Sequence, residues 1–250
     1  MRSVMVIPSS IAAAILIFLP TLSSSAASAA EPTDKKVITA PIPTQGDAKS
    51  GPPVVYKPPL RGAPGGRVGG GTRGTGNIFV LSALAPDHMG ITASEQPALY
   101  WFISAATSLP VELAIMDPQG VKPLFERRLS GPIERGVHRI DLAELGVRLA
   151  PGVAYRWSVT VIPDANRRSR DILAAATIER ADVPAEIRSK LDGTRKEDLA
   201  AVYAEAGFWY EALASISERI ERTPGDEALR QQRAQLLSQV GLPDIGEGTR

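Results

Sequence analysis

Between residues 77 and 180, apolar side chains recur at every second position in several short runs, and turn-forming residues separate the runs. Successive side chains of a β-strand point to opposite faces, so this period buries one face and wets the other. In one run Tyr155, Trp157, Val159 and Val161 share a face, opposite Arg156, Ser158 and Thr160. Val111, Leu113 and Ile115 behave likewise, opposite Glu112. The expected strands are 78–84, 98–104, 111–117, 122–129, 137–142, 154–162 and 172–180. Asp117-Pro118-Gln119-Gly120 carries proline second and glycine fourth, which predicts a type I turn between two strands. Pro163-Asp-Ala-Asn-Arg-Arg-Ser169 offers another turn. Its basic tip, Arg167, Arg168 and Arg170, is expected to be a solvated turn, with anion binding as the alternative. Seven short strands in about a hundred residues imply an immunoglobulin-like antiparallel β-sandwich over residues 77–180.

After residue 180 the period lengthens. Asp182 and Pro184 open a short helix carrying Val183, Ile187 and Leu191, and Thr194-Arg-Lys-Glu197 has the pattern of a capping box. Leu199, Tyr203, Gly207, Trp209, Glu211-Ala-Leu213, Ile220 and Pro224 then fall at the spacings of a tetratricopeptide repeat. Gly207 permits a tight turn between two helices, Ala212 lets them approach, and Tyr203 and Ile216 fill their interface. A further helix over 226–240 sets Leu229, Leu236, Leu237 and Val240 on one side, before Gly241 and Pro243. A single repeat cannot bury its own apolar face, so the tetratricopeptide-like subdomain at 181–242 is expected to dock on the sandwich. The fold class is mainly β with a C-terminal α part, ending in a flexible tail at 243–250.

The first thirty residues read as an address. Arg2 precedes an apolar stretch at 11–19, then come Pro20 and small residues ending in Ala27-Ser28-Ala29-Ala30. A membrane span needs about 20 apolar residues, and this stretch falls short. Residues 1–30 are therefore expected to be a signal peptide cleaved near Ala29 or Ala30, with the chain periplasmic or secreted. Residues 31–76 contain eight prolines and ten glycines. That composition implies a disordered or extended linker acting as a spacer. The alternative role is a basic tether that touches an anionic envelope through Lys57, Arg61, Arg67 and Arg73. The glycine run at 65–74 has prolines before it, a strand after it and no lysine in place, so it does not read as a phosphate loop. The linker holds seven Lys/Arg against three Asp/Glu in a chain of net charge +1, which leaves the folded part mildly acidic and argues against nucleic acid as its partner.

Chemistry-bearing patterns are sparse. The chain has no cysteine, and its two histidines, His88 and His138, stand in unrelated contexts without metal-ligand spacing. The expectation is a non-enzyme with no cofactor and no metal: a protein-interaction or scaffold module whose partner is another envelope or secreted protein. Candidate binding residues are Tyr203, Trp209 and Tyr210 on the helical end and Trp101 on a strand. Trp157 lies on an apolar stripe and reads as core, whereas Trp101 and Tyr100 lie on opposite faces, leaving one of them a candidate for exposure. An exposed Trp101 would suit the alternative, a module that binds cell-wall glycan. A hydrolase with a site assembled across strands ranks behind both.

Several blocks, in order, resemble a bacterial family of exported proteins known as domain of unknown function 928. They are Gly65-Gly-Arg-Val-Gly-Gly-Gly-Thr-Arg73, Leu81-Ser-Ala-Leu-Ala-Pro86, and Gly90-Ile-Thr-Ala-Ser-Glu-Gln-Pro97 leading into Tyr100-Trp-Phe102. Tyr155-Arg-Trp157, Arg168-Ser-Arg-Asp171, Ile178-Glu-Arg180 and Tyr203-Ala-Glu-Ala-Gly-Phe-Trp-Tyr-Glu-Ala-Leu213 continue the likeness, which covers roughly residues 65–242. The resemblance implies an exported protein and supplies no catalytic residues. Ala174-Ala-Ala176 departs from it, since bulkier or glycine-containing strands are usual there.

Overall fold

A computed structural model describes residues 52–59, 66–71, 80–120, 122–129 and 131–242. The leader, residues 31–51 of the linker and the tail therefore lie outside the described residues. Among the described residues, nine strands run β1 (Gly70–Gly71), β2 (Val80–Ala83), β3 (Gly90–Thr92), β4 (Ala98–Ile103), β5 (Val111–Met116), β6 (Pro123–Leu129), β7 (Gly136–Asp141), β8 (Ala154–Val161) and β9 (Ile172–Arg180). Four helices follow: α1 (Ala185–Asp192), α2 (Leu199–Glu205), α3 (Trp209–Arg222) and α4 (Glu227–Ser238). The strands form a four-stranded sheet in the order β1-β2-β4-β7 and a five-stranded sheet in the order β3-β9-β8-β5-β6.

All seven strands read from alternation are present, and the pairs among them are antiparallel. β5 and β8 show the cause, since Val111, Leu113, Ile115, Trp157, Val159 and Val161 are all buried and the residues between them are not. The Asp117 turn forms as expected: the Gly120 amide donates to the Asp117 carbonyl at 3.1 Å, and Gly120 has φ +64. β1 and β3 were not legible, and β3 corrects the all-antiparallel expectation, because it pairs parallel with β9. The sheets do not close into a barrel. One chain segment does run between them: Val68 pairs with Ala175 of β9, and two residues later Gly70–Gly71 pairs with β2. The glycine run thus serves as a bridge between sheet edges. The Ala174-Ala-Ala176 segment lies on β9 opposite Val159, Ser158 and Trp157 of β8, and all three alanines are fully buried.

Both faces of the four-stranded sheet are covered. Leu81, Leu99, Trp101 and Ile103 belong to the same core cluster as Leu113, Trp157 and Val159 of the other sheet. The opposite face carries Tyr100 and Arg139, which are cross-strand partners. Arg139 reaches Glu218 at 3.6 Å and Glu221 at 3.5 Å, both on α3. Helices therefore lie over this face, and the helical end shares one core with the sheets.

Within the helical end, Gly207 takes φ +84 at the turn between α2 and α3. Asp226 caps α4, accepting a hydrogen bond from the Leu229 amide at 3.2 Å. The capping box does not form. Thr194 Oγ1 instead donates to the Lys190 carbonyl at 2.6 Å, closing the end of α1, and α2 starts after Asp198 without a side-chain cap. The reason is a turn at 196–198 that separates Thr194 from the first residue of α2.

The linker expectation needs correction where the chain is described. Residues 52–59 are extended, as their prolines imply, yet Val54 is only 5% and Tyr56 only 7% exposed. Lys57 and Arg67 both have partners in the folded part. Lys57 pairs with Glu205 at 2.9 Å, while Arg67 Nη1 donates to the carbonyls of Ala85 and Val240 at 2.7 and 3.0 Å. Arg61 and Arg73 lie outside the described residues. The Lys57 carbonyl would sit 3.2 Å from a Cβ at Gly207, so glycine is required there by both φ and proximity. Gly207→Ala is expected to lower unfolding free energy by about 1–2 kcal/mol, the cost of holding an L-residue left-handed. Urea denaturation checks this, and an unchanged midpoint contradicts it.

Candidate functional site

Three of the four candidate binding residues face inward. Trp209 is fully buried and its Nε1 donates to the Leu84 carbonyl at 2.9 Å. Tyr210 is 1% exposed, and its hydroxyl accepts from Trp157 Nε1 at 3.0 Å. Burial raises the Tyr210 hydroxyl pKa far above the ordinary phenol value. Trp101 is 1% exposed and stacks on His138 with centroids 4.5 Å apart. Neither Trp101 nor Tyr100 is a surface platform, because each face of β4 has a layer against it. Tyr203 is half-buried, edge-on to Phe208 at 6.5 Å, and is the one candidate that keeps accessible surface.

Local sequence explains how the helical aromatics reach the sheets. Residues of a helix advance about 100° each, so consecutive side chains at the start of α3 diverge. Trp209 meets the four-stranded sheet, and Tyr210 meets Trp157 of the five-stranded one. Glu211 meets the loop after β3, where Oε1 accepts from Thr92 Oγ1 at 2.5 Å and from the amides of Ala93 and Ser94 at 2.9 and 3.1 Å. Gly90 leaves room for this approach, since a Cβ there would lie 2.8 Å from the Tyr210 ring. The role of Glu211 was not legible. It falls within the repeat-like block, but nothing local marks a carboxylate as a loop anchor.

The Glu211 stem keeps some exposure, but its carboxyl head is enclosed, and Oε2 is buried without a hydrogen-bond partner. Burial outweighs the hydrogen bonds from Thr92, Ser94 and Ala93 and raises the carboxyl pKa.

The histidines are engaged separately. His88 Nδ1 lies 2.9 Å from the Met89 carbonyl, and its ring stacks on Tyr56 at 5.9 Å. His138 Nε2 lies 2.7 Å from the Glu134 carbonyl. Among the described residues no three His, Asp or Glu side chains converge as metal ligands.

Two surface features remain. An open cleft of about 400 Å³ is lined by Pro52, Lys190, Thr194, Arg195, Asp198 and Glu205. Its charges pair internally: Lys190 and Lys57 hold Glu205, lowering its carboxyl to about 2, and Arg195 meets Asp198 at 2.6 Å. Of these pairs, Lys57–Glu205 links the 52–59 segment to α2. The second feature is the outer face of the five-stranded sheet. Ala114, Ser158, Thr160 and Thr177 are partly exposed there, and β6 at its edge is largely exposed, with Leu124 at 50%. Glu112 joins β6 to the hairpin tip at one end of this face, accepting from Arg128 at 3.2 Å and Arg168 at 3.0 Å. Those two pairs hold the Glu112 carboxyl below its ordinary value. Arg167, Arg168 and Arg170 are exposed, as a solvated turn implies, and Arg168 is in addition tied to the sheet through Glu112.

A pair of variants separates the roles of Glu211. Glu211→Ala strips the acceptor from a hydroxyl and two amides and is expected to cost about 2–3 kcal/mol. Glu211→Gln keeps an acceptor and removes the charge. Because the folded pKa is raised, the folded state binds the proton more tightly than the unfolded chain, so wild-type stability falls as pH climbs from the unfolded to the folded value. The stability of Glu211→Gln relative to wild type should accordingly rise across that window and level off above it. Denaturation series at several pH values check this, and a gap moving the other way contradicts it.

Comparison with the curated proteins finds no match. A protein-family model described as Domain of Unknown Function (DUF928) matches residues 68–249, spanning β1 to the helical end. With both sheets and all four helices inside that match, the chain belongs to the DUF928 family.

Proposed function

We propose that this chain is a non-catalytic protein-interaction or scaffold module of the cell envelope, exported by the leader at 1–30, and that it engages a partner protein through the outer face of its five-stranded sheet. In this reading residues 80–180 form an immunoglobulin-like sandwich, supported by seven antiparallel-paired strands shared between two sheets. The α2–α3 hairpin is tetratricopeptide-like, supported by Gly207 at its turn and Ala212 buried in α3.

The observation carrying the proposal is the unequal cover of the two sheets. The four-stranded sheet has a layer on each face, whereas on the five-stranded sheet the helices' main contact is with β3, its short end strand. On the outer face of the five-stranded sheet Ala114, Ser158, Thr160 and Thr177 stay partly exposed, among the longer side chains of Glu112, Met116 and Arg156. β6 ends that sheet and brings Leu124 to the surface beside it. An exposed edge strand beside a partly exposed sheet face suits a protein partner that can add a strand or pack on the sheet. The buried ring of Trp101 offers nothing to a sugar, so a glycan reading draws no support from it. Among the described residues no helix is long and apolar enough to cross a membrane.

The test places a photo-crosslinking residue in living cells at Leu124 or Ser158, with exposed Gln231 of α4 as the control. A discrete crosslinked species at the first two positions and none at Gln231 is expected. Equal labelling at all three, or none at the sheet positions, overturns the proposal.

A further inference from the structure

We propose that the groove between the α2–α3 turn and the end of α4 is a peptide-binding site, filled here by residues 54–57, and that a second copy of this chain can fill it by exchanging the same segment.

The contact has the anatomy of a bound peptide. Inward and outward side chains alternate, with Val54 and Tyr56 buried, Val55 52% exposed and Lys57 exposed. A single side chain reads the backbone between the two buried residues. Gln239 Nε2 donates to the Val54 carbonyl at 2.9 Å, and Gln239 Oε1 accepts from the Tyr56 amide at 2.8 Å. The Lys57 amide donates to the Ala204 carbonyl at 3.0 Å, and Lys57 Nζ meets Glu205 at 2.9 Å. Tyr56 lies edge-on to Trp209 at 5.0 Å and stacks on His88 at 5.9 Å. Main-chain hydrogen bonds, alternate pockets and one charge pair are how an extended peptide is recognised.

The flanks point the same way. Pro52-Pro53 and Pro58-Pro59 bracket the segment and favour an extended chain in the free state, which lowers the ordering cost of docking. Gly207 admits the segment, since any larger residue would crowd the Lys57 carbonyl.

The occupant follows from fit. Another copy of this chain carries the identical segment, with the same apolar-x-aromatic-lysine order and proline flanks. Residues 60–65 join the segment to the chain that enters the sheets, and the seven steps from Pro59 to Gly66 reach about 25 Å at most. Two copies exchanging segments must therefore stand close, each groove taking the other's strap in an isologous pair.

The absence of cysteine makes a clean test in the full chain. One chain carries K57C and another E205C, replacing two exposed residues whose side chains meet in the occupied groove. A chain carrying both substitutions is the positive control for closure within one molecule. Mixing the two single variants under oxidising conditions should give a disulfide-linked heterodimer whose yield rises with concentration. The yield should exceed severalfold that obtained when K196C replaces E205C, and it should be lost when Y56A is added to the first chain or Q239A to the second. A yield no greater than the K196C control, with the double variant closing normally, overturns exchange. A heterodimer indifferent to Y56A and Q239A overturns the groove as its cause.

Discussion

Three consecutive side chains at the start of α3 fix how the rest of the molecule is arranged. Trp209 is bonded to a carbonyl following β2, Tyr210 to the indole of Trp157, and Glu211 to the loop after β3. One helical turn thereby holds both sheets and the segment between them at set distances. Truncating a buried tryptophan of this kind costs about 3–5 kcal/mol, a large part of an ordinary domain's total stability. The direct indole bonds also matter electrostatically, because a buried N–H without an acceptor is expensive. The helices belong to the same core as the sheets, so the term tail describes their place in the chain and not their energetics.

Around this anchor the glycine- and proline-rich chain performs structural work that its composition conceals. Residues 66–71 run from β9 of one sheet to β2 of the other, and Arg67 ties the carbonyls of Ala85, near β2, and Val240, past α4. Glycine suits a backbone that must pass close to its neighbours, and proline suits one that must stay extended. Arg67 and Lys57, two cations that suggested a tether for anionic surfaces, are engaged by backbone carbonyls and by a surface carboxylate of the folded part.

Much of this was legible in the sequence, and the failures have physical causes. Alternation located β5 and β8 to within a residue because each has one buried and one wetted face. β1 and β3 are two and three residues long, too short to display a period. The aromatic residues were misjudged for a different reason. The unbroken apolar run Ala98-Leu-Tyr-Trp-Phe-Ile103 is the mark of a strand covered on both sides, and that signal outweighs the rule that neighbours alternate between core and water. Trp209 and Tyr210 look like a groove lining when the helices are considered alone, and become an anchor once the sheets are present. Val54-Val55-Tyr56 is a small apolar island among prolines, and only the distant Gln239 and Trp209 make it part of the fold. Residues that meet across 185 positions leave no local trace.

Through the 209–211 anchor, α3 and the five-stranded sheet form one cooperative unit. Native-state hydrogen exchange tests it most directly, by comparing the slowest amides of α3 with those of β8. Both are expected to exchange only through global unfolding, with the same free energy and the same urea dependence. Exchange of the α3 amides through a cheaper opening that leaves β8 protected would contradict it.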